Sequence, residues 1–426
     1  DKSGAVIPEF LENQARKLPL YVSLKKELQD EKLVFEALNK PKKMRVFTWD
    51  GEQDVEMSTM DSLKHYVSML NTGMMAMDPY SGNIKVWVGG INHQHYKFDH
   101  VNQAKRQAGS TFKPFAYLAA LESGMAPCDT YEDKPVSITF INKKGEEEIW
   151  EPKNADWSFS HRVMSLRWAM ARSLNTITAQ ITRDVGWDKV VETAHRVGIE
   201  SPLLSVPSVG LGSNDVSVFE MVRAYGTFMN TGKRVEPILV SKIYDSNGKL
   251  IASFEKKEEQ VIDPENAWLM TYMLRGTMEE PGGTSQALWE WDLFDKENEI
   301  GGKTGTSSDY VDGWYMGVTK DLVAGVWVGC DEQSIHFKDS HSGEGSKTAL
   351  PIYAKFMEEL YKHPELGVTL GKFPEATVPI TKKFQCPSPR IRVAEPTEVE
   401  PLEGEELPVE GAEGEQVEVT EEVVEQ

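Results

Sequence analysis

Three short stretches of this sequence carry side chains that together could move an acyl group. The first is Ser110-Thr111-Phe112-Lys113, preceded by Arg106-Gln107-Ala108-Gly109. A helix starting at Ser110 sets hydroxyl and amine one turn apart on one face. A hydroxyl attacks a carbonyl only when a base takes its proton. Lysine serves as that base when burial and a nearby cation lower its pKa. The helix start also leaves a free backbone N–H at the serine for a developing oxyanion, and Pro114 suits a first turn. The second stretch is Ser173-Leu174-Asn175, a hydroxyl to relay a proton and an amide to recognise a peptide group. The third is Lys303-Thr304-Gly305-Thr306, on a predicted strand. Alternation sends Lys303 and Gly305 to one face and Thr304 and Thr306 to the other. Lacking a side chain, Gly305 would let a substrate backbone lie along the strand.

Each stretch alone is a common pattern. Ser23-Leu24-Lys25-Lys26 matches the first in a charged segment with no companion motif, and reads as a solvated helical face. Lys347-Thr348-Ala349 resembles the third without its glycine or strand context, and reads as structural. The force of the three lies in their order, the first opening a helix and the last on a strand.

The elements that would position them follow from periodicity and punctuation. Glu9 to Lys40 reads as helical up to Pro41, and Met44 to Met57 as extended around an Asp-Gly turn. Strand, turn and strand follow from Gly73 to Gly90. Helices are predicted over Ser110–Leu121, Arg162–Arg183, Asp188–Val197, Val216–Met229, Pro264–Thr277 and Pro351–Tyr361. Glu299–Thr306, Gly313–Thr319 and Leu322–Gly329 read as strands. A sheet assembled from both ends of the chain, with helices between, is the implied architecture.

At 426 residues, 40% of them hydrophobic and 11 of them Trp, the chain can build a large core. The net charge of −21 is concentrated at one end: Glu395–Gln426 holds 13 glutamates and no Lys, Arg or Asp, so removing them leaves −8 for residues 1–394. That tail is expected to be disordered, and no basic stripe offers a nucleic-acid surface. Cys128, Cys330 and Cys386 have no metal-like spacing and are expected as three buried thiols, with one disulfide possible. His93-Gln94-His95 is the only tight histidine pair, in an expected exposed loop, so no metal site is expected. The methionines from Met69 to Met77 are expected in the core. No GxSxG elbow suggests a Ser-His-Asp hydrolase.

The combination resembles the serine penicillin-recognising enzymes. Arg106–Phe115 is similar to the nucleophile segment of the bifunctional, class A penicillin-binding proteins, with Ser-Leu-Asn in the middle position. Asp78-Pro79-Tyr80-Ser81-Gly82 resembles their opening hairpin, and Pro207–Val216 their PSxxLGxxxV stretch. Asp312–Gly317 and Gly325–Gly329 resemble their last two strands. The likeness runs from about residue 73 to about 361. It implies an α+β fold: a five-stranded antiparallel sheet flanked by helices, with an all-helical subdomain. The implied organisation is a connecting region over 1–72, a transpeptidase domain over 73–365, an extension over 366–394 and the acidic tail over 395–426. No Glu-Asp-x-x-Phe segment of a glycosyltransferase is present. The chain is therefore expected to be the C-terminal part of a longer protein whose membrane anchor and polymerase domain precede it, on the periplasmic face of the bacterial inner membrane.

The implied reaction is D,D-transpeptidation of peptidoglycan stem peptides, with no cofactor. Ser110 would attack the penultimate D-Ala carbonyl, Lys113 would take its proton, and the backbone N–H groups of Ser110 and Thr306 would hold the oxyanion. Ser173, with Lys303, would protonate the departing D-alanine. Asn175 would bind the stem peptide, with Thr304, Gly305 and Thr306 along the strand and both threonines on the terminal carboxylate. β-Lactams would acylate Ser110, and cell-wall synthesis proteins are expected partners. A D,D-carboxypeptidase and a non-catalytic β-lactam sensor or scaffold share much of this pattern. A class A β-lactamase is disfavoured, because no Glu-x-x-Asn element lies between Ser173 and Lys303. The Trp residues near Gly313 and Gly325 are expected to pack the strands, although Trp314 stands close enough to the third motif to line the cleft.

Overall fold

The computed structural model describes residues 6–387, Lys296 by its backbone alone; the expected acidic tail lies outside this range. Its frame is a five-stranded antiparallel sheet drawn from two distant parts of the chain. β1 (Asn71–Met77) and β2 (Ile84–Val88) precede the helices, whereas β3 (Gly301–Thr306), β4 (Asp312–Val318) and β5 (Val323–Gly329) follow them. The order across the sheet is β3-β4-β5-β1-β2. β4 and β5 are buried along their whole length. Their alternation therefore sorts side chains into two cores. Met75, Trp314, Met316 and Trp327 join the core built with α1 (Lys113–Glu122). Met74, Tyr315, Val326 and Val328 pack with a closing helix, Ala349–Leu360. The methionines of β1 thus serve both cores.

α1 is the pillar of the molecule: Lys113 to Leu121 are all buried. Around it stand α2 (Leu166–Ala171), α3 (Asn175–Val185), α4 (Trp187–Val197), α5 (Val218–Met229) and α6 (Pro264–Glu279). α5 begins with a reciprocal capping box between Ser217 and Glu220, the signature that Ser-x-x-Glu predicts. Truncating a pillar side chain such as Phe115 to Ala would cost about 3–5 kcal/mol.

Several expectations need correction. The helix read over Glu9–Lys40 is three helices, Pro8–Arg16, Pro19–Leu28 and Glu31–Leu38. Pro19 lacks the N–H to continue the first, and Gln29 turns left-handed before Asp30 caps the third. The helix read over Arg162–Arg183 begins as a strand, Val163–Ser165, paired with Thr130–Glu132, and then breaks between α2 and α3. Ser110 does not open an α-helix; it lies in a 3-10 turn, Gly109–Phe112, with α1 following at Lys113.

The cysteines also differ from three thiols: Cys128 and Cys386 form a disulfide, and only Cys330 is free. A sequence separation of 258 hides this pairing. The cause is the path of residues 366–387, which run back over the helices. Phe373 N–H donates to Glu299 Oε2 at 2.7 Å. Thr381 and Lys382 N–H donate to Glu265 at 2.6 and 2.9 Å. Phe384 meets Trp268 edge-on, with ring centroids 5.2 Å apart.

The bridge closes a very long loop, so Cys386→Ser is expected to lower unfolding free energy by about 2–4 kcal/mol, measured by denaturant titration without reductant. A loss below about 0.5 kcal/mol would place the hold on this segment in its hydrogen bonds and aromatic contacts instead.

Candidate active site

Ser110 is held where the chain comes closest to β3. Arg106-Gln107 pairs antiparallel with Asp215-Val216. Ala108 N–H donates to Asn214 O at 3.2 Å, and Gly109 N–H to Gly212 O at 3.0 Å. The Pro207–Val216 stretch is therefore a strap over the serine turn. Gly109 has φ +53°, and a Cβ there would sit 2.5 Å from Thr306 O. Only glycine permits both that conformation and that approach. Trp314 Nε1–H donates to Gln107 O at 2.9 Å, and Tyr225 O–H to Thr111 O at 2.6 Å. Trp314 is buried and braces the turn from below, packed in the strand as expected, and it does not line the cavity.

Arg106 anchors the whole approach. Its Nε–H donates to Asp312 Oδ1 at 2.6 Å, both side chains being buried at the start of β4. Asp312 also accepts from Trp327 Nε1–H and Ser307 Oγ–H, each at 2.9 Å. The guanidinium lies 5.0 Å above the Trp327 ring. Asp312, a buried carboxylate with three donors, is satisfied, whereas Arg106 Nη2 is buried with no hydrogen-bond partner among the described residues.

The second motif occupies the break between α2 and α3, where Ser173 adopts φ +59°. That left-handed turn is costly for a residue with a Cβ. It frees the Ser173 carbonyl from the helix, and Lys113 Nζ donates to that oxygen at 2.5 Å. Lys113 Nζ also lies 2.7 Å from Asn175 Oδ1 and 3.1 Å from Ser173 Oγ. Lys303 Nζ reaches the same Ser173 Oγ at 2.8 Å, and donates to Thr304 O at 2.9 Å. Two fully buried lysines thus converge on one hydroxyl. Burial, and then the cation of Lys303, push the Lys113 amine well below the usual lysine range. Burial brings Lys303 down to about 7. A neutral amine has two N–H bonds, enough for the Ser173 carbonyl and Asn175 Oδ1, and its lone pair is then available to accept a proton.

Ser110, Ser173, Asn175, Thr304 and Thr306 open on one cavity of about 880 Å³. Lys113 and Lys303 lie beneath its floor. The sequence-predicted residues are therefore brought together, with two departures. Among the described residues nothing hydrogen-bonds Ser110 Oγ; the Lys113 amine is engaged by Ser173 and Asn175 instead. Gly305 faces the serine turn and not the cavity, since a Cβ there would lie 2.8 Å from Ala108 O and 2.8 Å from Thr111 Cγ2. Its lack of a side chain lets the serine turn pack on β3. Thr306 Oγ1 accepts from Gly345 N–H at 3.1 Å, which ties the segment before the closing helix to the strand end.

Sequence reasoning missed Asn154. Its buried Oδ1 accepts from Asn175 N–H at 2.9 Å, and its Nδ2–H donates to Asp133 at 2.7 Å. It missed the Arg106–Asp312 pair as well, although both residues stood inside quoted motifs. No local spacing links them.

Comparison with known proteins agrees with this geometry. A family model described as the penicillin-binding protein transpeptidase domain matches residues 72–358, and one described as the penicillin-binding protein middle domain matches residues 1–70. Penicillin-binding protein 1A of Rickettsia conorii is 34% identical over 316 residues, 69% of this chain and 38% of the relative. Penicillin-binding protein 2D of Bacillus subtilis is 32% identical over 310 residues, 71% of this chain and 44% of the relative. The chain thus spans about two fifths of these curated relatives. The crystal structure of penicillin-binding protein 1A from Haemophilus influenzae superposes with TM-score 0.64 at 25% identity, covering 78% of this chain and 52% of that one. The PonA1 protein of Mycobacterium tuberculosis in complex with penicillin V, at 19% identity and TM-score 0.61, covers 91% of this chain and 99% of that one, and shares the fold.

Two outcomes follow from the site. Gly305→Ala should push the serine turn off β3 and slow acylation by labelled penicillin on the order of a hundredfold, with the circular dichroism spectrum unchanged; a normal rate would mean the turn yields freely. Acylation should also rise with pH as Lys113 loses its proton. In Lys303→Met the neighbouring cation is gone, the Lys113 pKa rises, and the acid limb of the rate profile should move to higher pH. A limb that stays put or moves down would contradict the coupling.

Proposed function

We propose, for a chain that belongs to the penicillin-binding protein transpeptidase family, that it cross-links peptidoglycan stem peptides through an acyl-enzyme on Ser110. The observation that carries this reading is the sharing of Ser173 Oγ by the buried amines of Lys113 and Lys303, at 3.1 and 2.8 Å, beneath a cavity that also exposes Ser110.

Lys113, neutral through burial, takes the proton of Ser110 Oγ as that oxygen attacks the penultimate D-Ala carbonyl. The Ser110 and Thr306 backbone N–H groups stabilise the tetrahedral oxyanion. The C–N bond breaks, and the leaving nitrogen receives a proton through Ser173 Oγ, with Lys303 as the next donor in line. Asn175 holds the donor peptide, and Thr304 and Thr306 receive its terminal carboxylate. A side-chain amine of a second stem peptide then attacks the ester and gives its proton to the Ser173–Lys303 relay, while the ester C–O bond breaks and Ser110 Oγ takes back the proton held by Lys113. A β-lactam follows the first half of this path, and its ring-opened product stays attached. The disulfide supports an extracytoplasmic working place, where such bridges persist.

Intact mass after incubation with penicillin tests the nucleophile. One adduct is expected on the wild type and none on Ser110→Ala. An adduct retained by Ser110→Ala would move the nucleophile elsewhere. An amine acceptor should divert product from hydrolysis to cross-link; free acid alone would favour a carboxypeptidase.

A further inference from the structure

One wall of the cavity is tied to the second motif by side-chain hydrogen bonds. Residues 151–158 form a loop tied to the start of α3 by the Asn154 bonds described above. Asn175 Nδ2–H donates to Lys153 O at 2.8 Å, and Asn154 Nδ2–H also holds Ser158 O at 3.0 Å. The loop therefore keeps fixed register with Asn175. It presents Trp157, 73% exposed and at φ +59°. An exposed tryptophan in a left-handed turn is unfavourable on two counts; its backbone N–H donates to Asn154 O at 3.0 Å. The Lys153 ammonium stands 5.2 Å from the centre of that ring.

Arg172, just before Ser173, opens on the same cavity. Among the described arginines, only Arg162 and Arg172 lack a carboxylate within 4 Å, and Lys153 lacks one too. This occurs in a body, residues 1–394, whose net charge is −8. Glu151, on the same loop, is hydrogen-bonded by Ser137 Oγ–H at 2.7 Å. The cavity's other carboxylates, Asp309 and Glu344, belong to segments on the Thr306 side. Two cations without a carboxylate partner among the described residues, and an aromatic face, thus share the side of the cavity that carries Asn175.

We infer that Lys153, Trp157 and Arg172 form a subsite for a second carboxylate of the donor peptide, upstream of the bond that is cut. This rests on the transpeptidase reading. The terminal carboxylate goes to Thr304 and Thr306 on β3, whereas a peptide held by Asn175 runs past Lys153 and Arg172 as it leaves the serine. Trp157 supplies the flat surface for the methylenes carrying the upstream acid, and the two cations supply its charge complement. The site therefore selects donors whose upstream residue keeps a free acid over donors in which it is a carboxamide.

The test uses two synthetic D-Ala-D-Ala peptides that differ only in an upstream carboxylate or carboxamide. D-Alanine release is measured on the full chain, with labelled-penicillin uptake followed in parallel. The wild type should turn over the acid about tenfold more efficiently, mainly through KM, as a charge-assisted contact predicts. That preference should shrink as salt is raised. Lys153→Met combined with Arg172→Gln should turn over both peptides alike. Equal turnover of both peptides by the wild type, or an undiminished preference in the double variant, would overturn the subsite and leave the acyl-transfer reading standing. Penicillin uptake with no release from either peptide would overturn the donor-peptide reading, and the subsite with it.

Discussion

The site depends on keeping two lysine amines out of water and aimed at one hydroxyl. Transfer of an ammonium into a protein interior costs on the order of several kcal/mol even after relaxation. Among the described residues no carboxylate pairs with Lys113 or Lys303 to offset it. The structure meets the cost by lowering both pKa values, that of Lys113 well below the lysine range with the Lys303 cation beside it and that of Lys303 to about 7, and an amine so lowered can act as a base. Ser173 makes the arrangement possible. Its left-handed backbone turns a carbonyl toward Lys113, while its hydroxyl faces both nitrogens.

The surrounding fold holds the serine turn against β3 within the small tolerance that such chemistry allows. Glycines on both sides remove what would separate them: Gly109 admits Thr306, Gly305 admits Ala108 and Thr111, and Gly212 admits Gly109. The Arg106–Asp312 pair then fixes the strand leading into the turn to the sheet. Close packing gives proximity, and the buried ion pair gives register.

How much of this was legible in the sequence varied with the range of the interaction. The sheet strands could be read because β5, and β4 after Asp312, carry continuous apolar character, and the segment between β1 and β2 is a recognisable turn. The face alternation of Lys303-Thr304-Gly305-Thr306 follows from strand period alone. The break at Ser173 could not be read, because Ala171-Arg172-Ser173 has no helix breaker. α2 ends in a Schellman turn, with Leu174 N–H on Ala169 O and Ser173 N–H on Met170 O, built on a left-handed serine where glycine is usual, and a buried amine from sixty positions earlier takes the carbonyl it leaves. Gly305 was visible as a glycine that something approaches, but local sequence does not say that the visitor is the chain's own Ala108. Cys128–Cys386 escaped for the same reason: the returning path of residues 366–387 is set by contacts with α6, not by any pattern around either cysteine.

The order of strands in the sheet has a consequence for how the molecule comes into being. Thr72 Oγ1–H donates to the carbonyl of Trp327 across 255 residues. As the chain emerges from its N-terminal end, the β1–β2 hairpin and α1 must wait for most of the remaining sequence before β5 and β3 can cover them. Until then a methionine-rich hairpin edge and the pillar helix stand without their partners. Such non-local topology folds slowly and exposes sticky surface meanwhile. The nascent polypeptide would therefore need shielding throughout the interval between the appearance of its first sheet strand and its last.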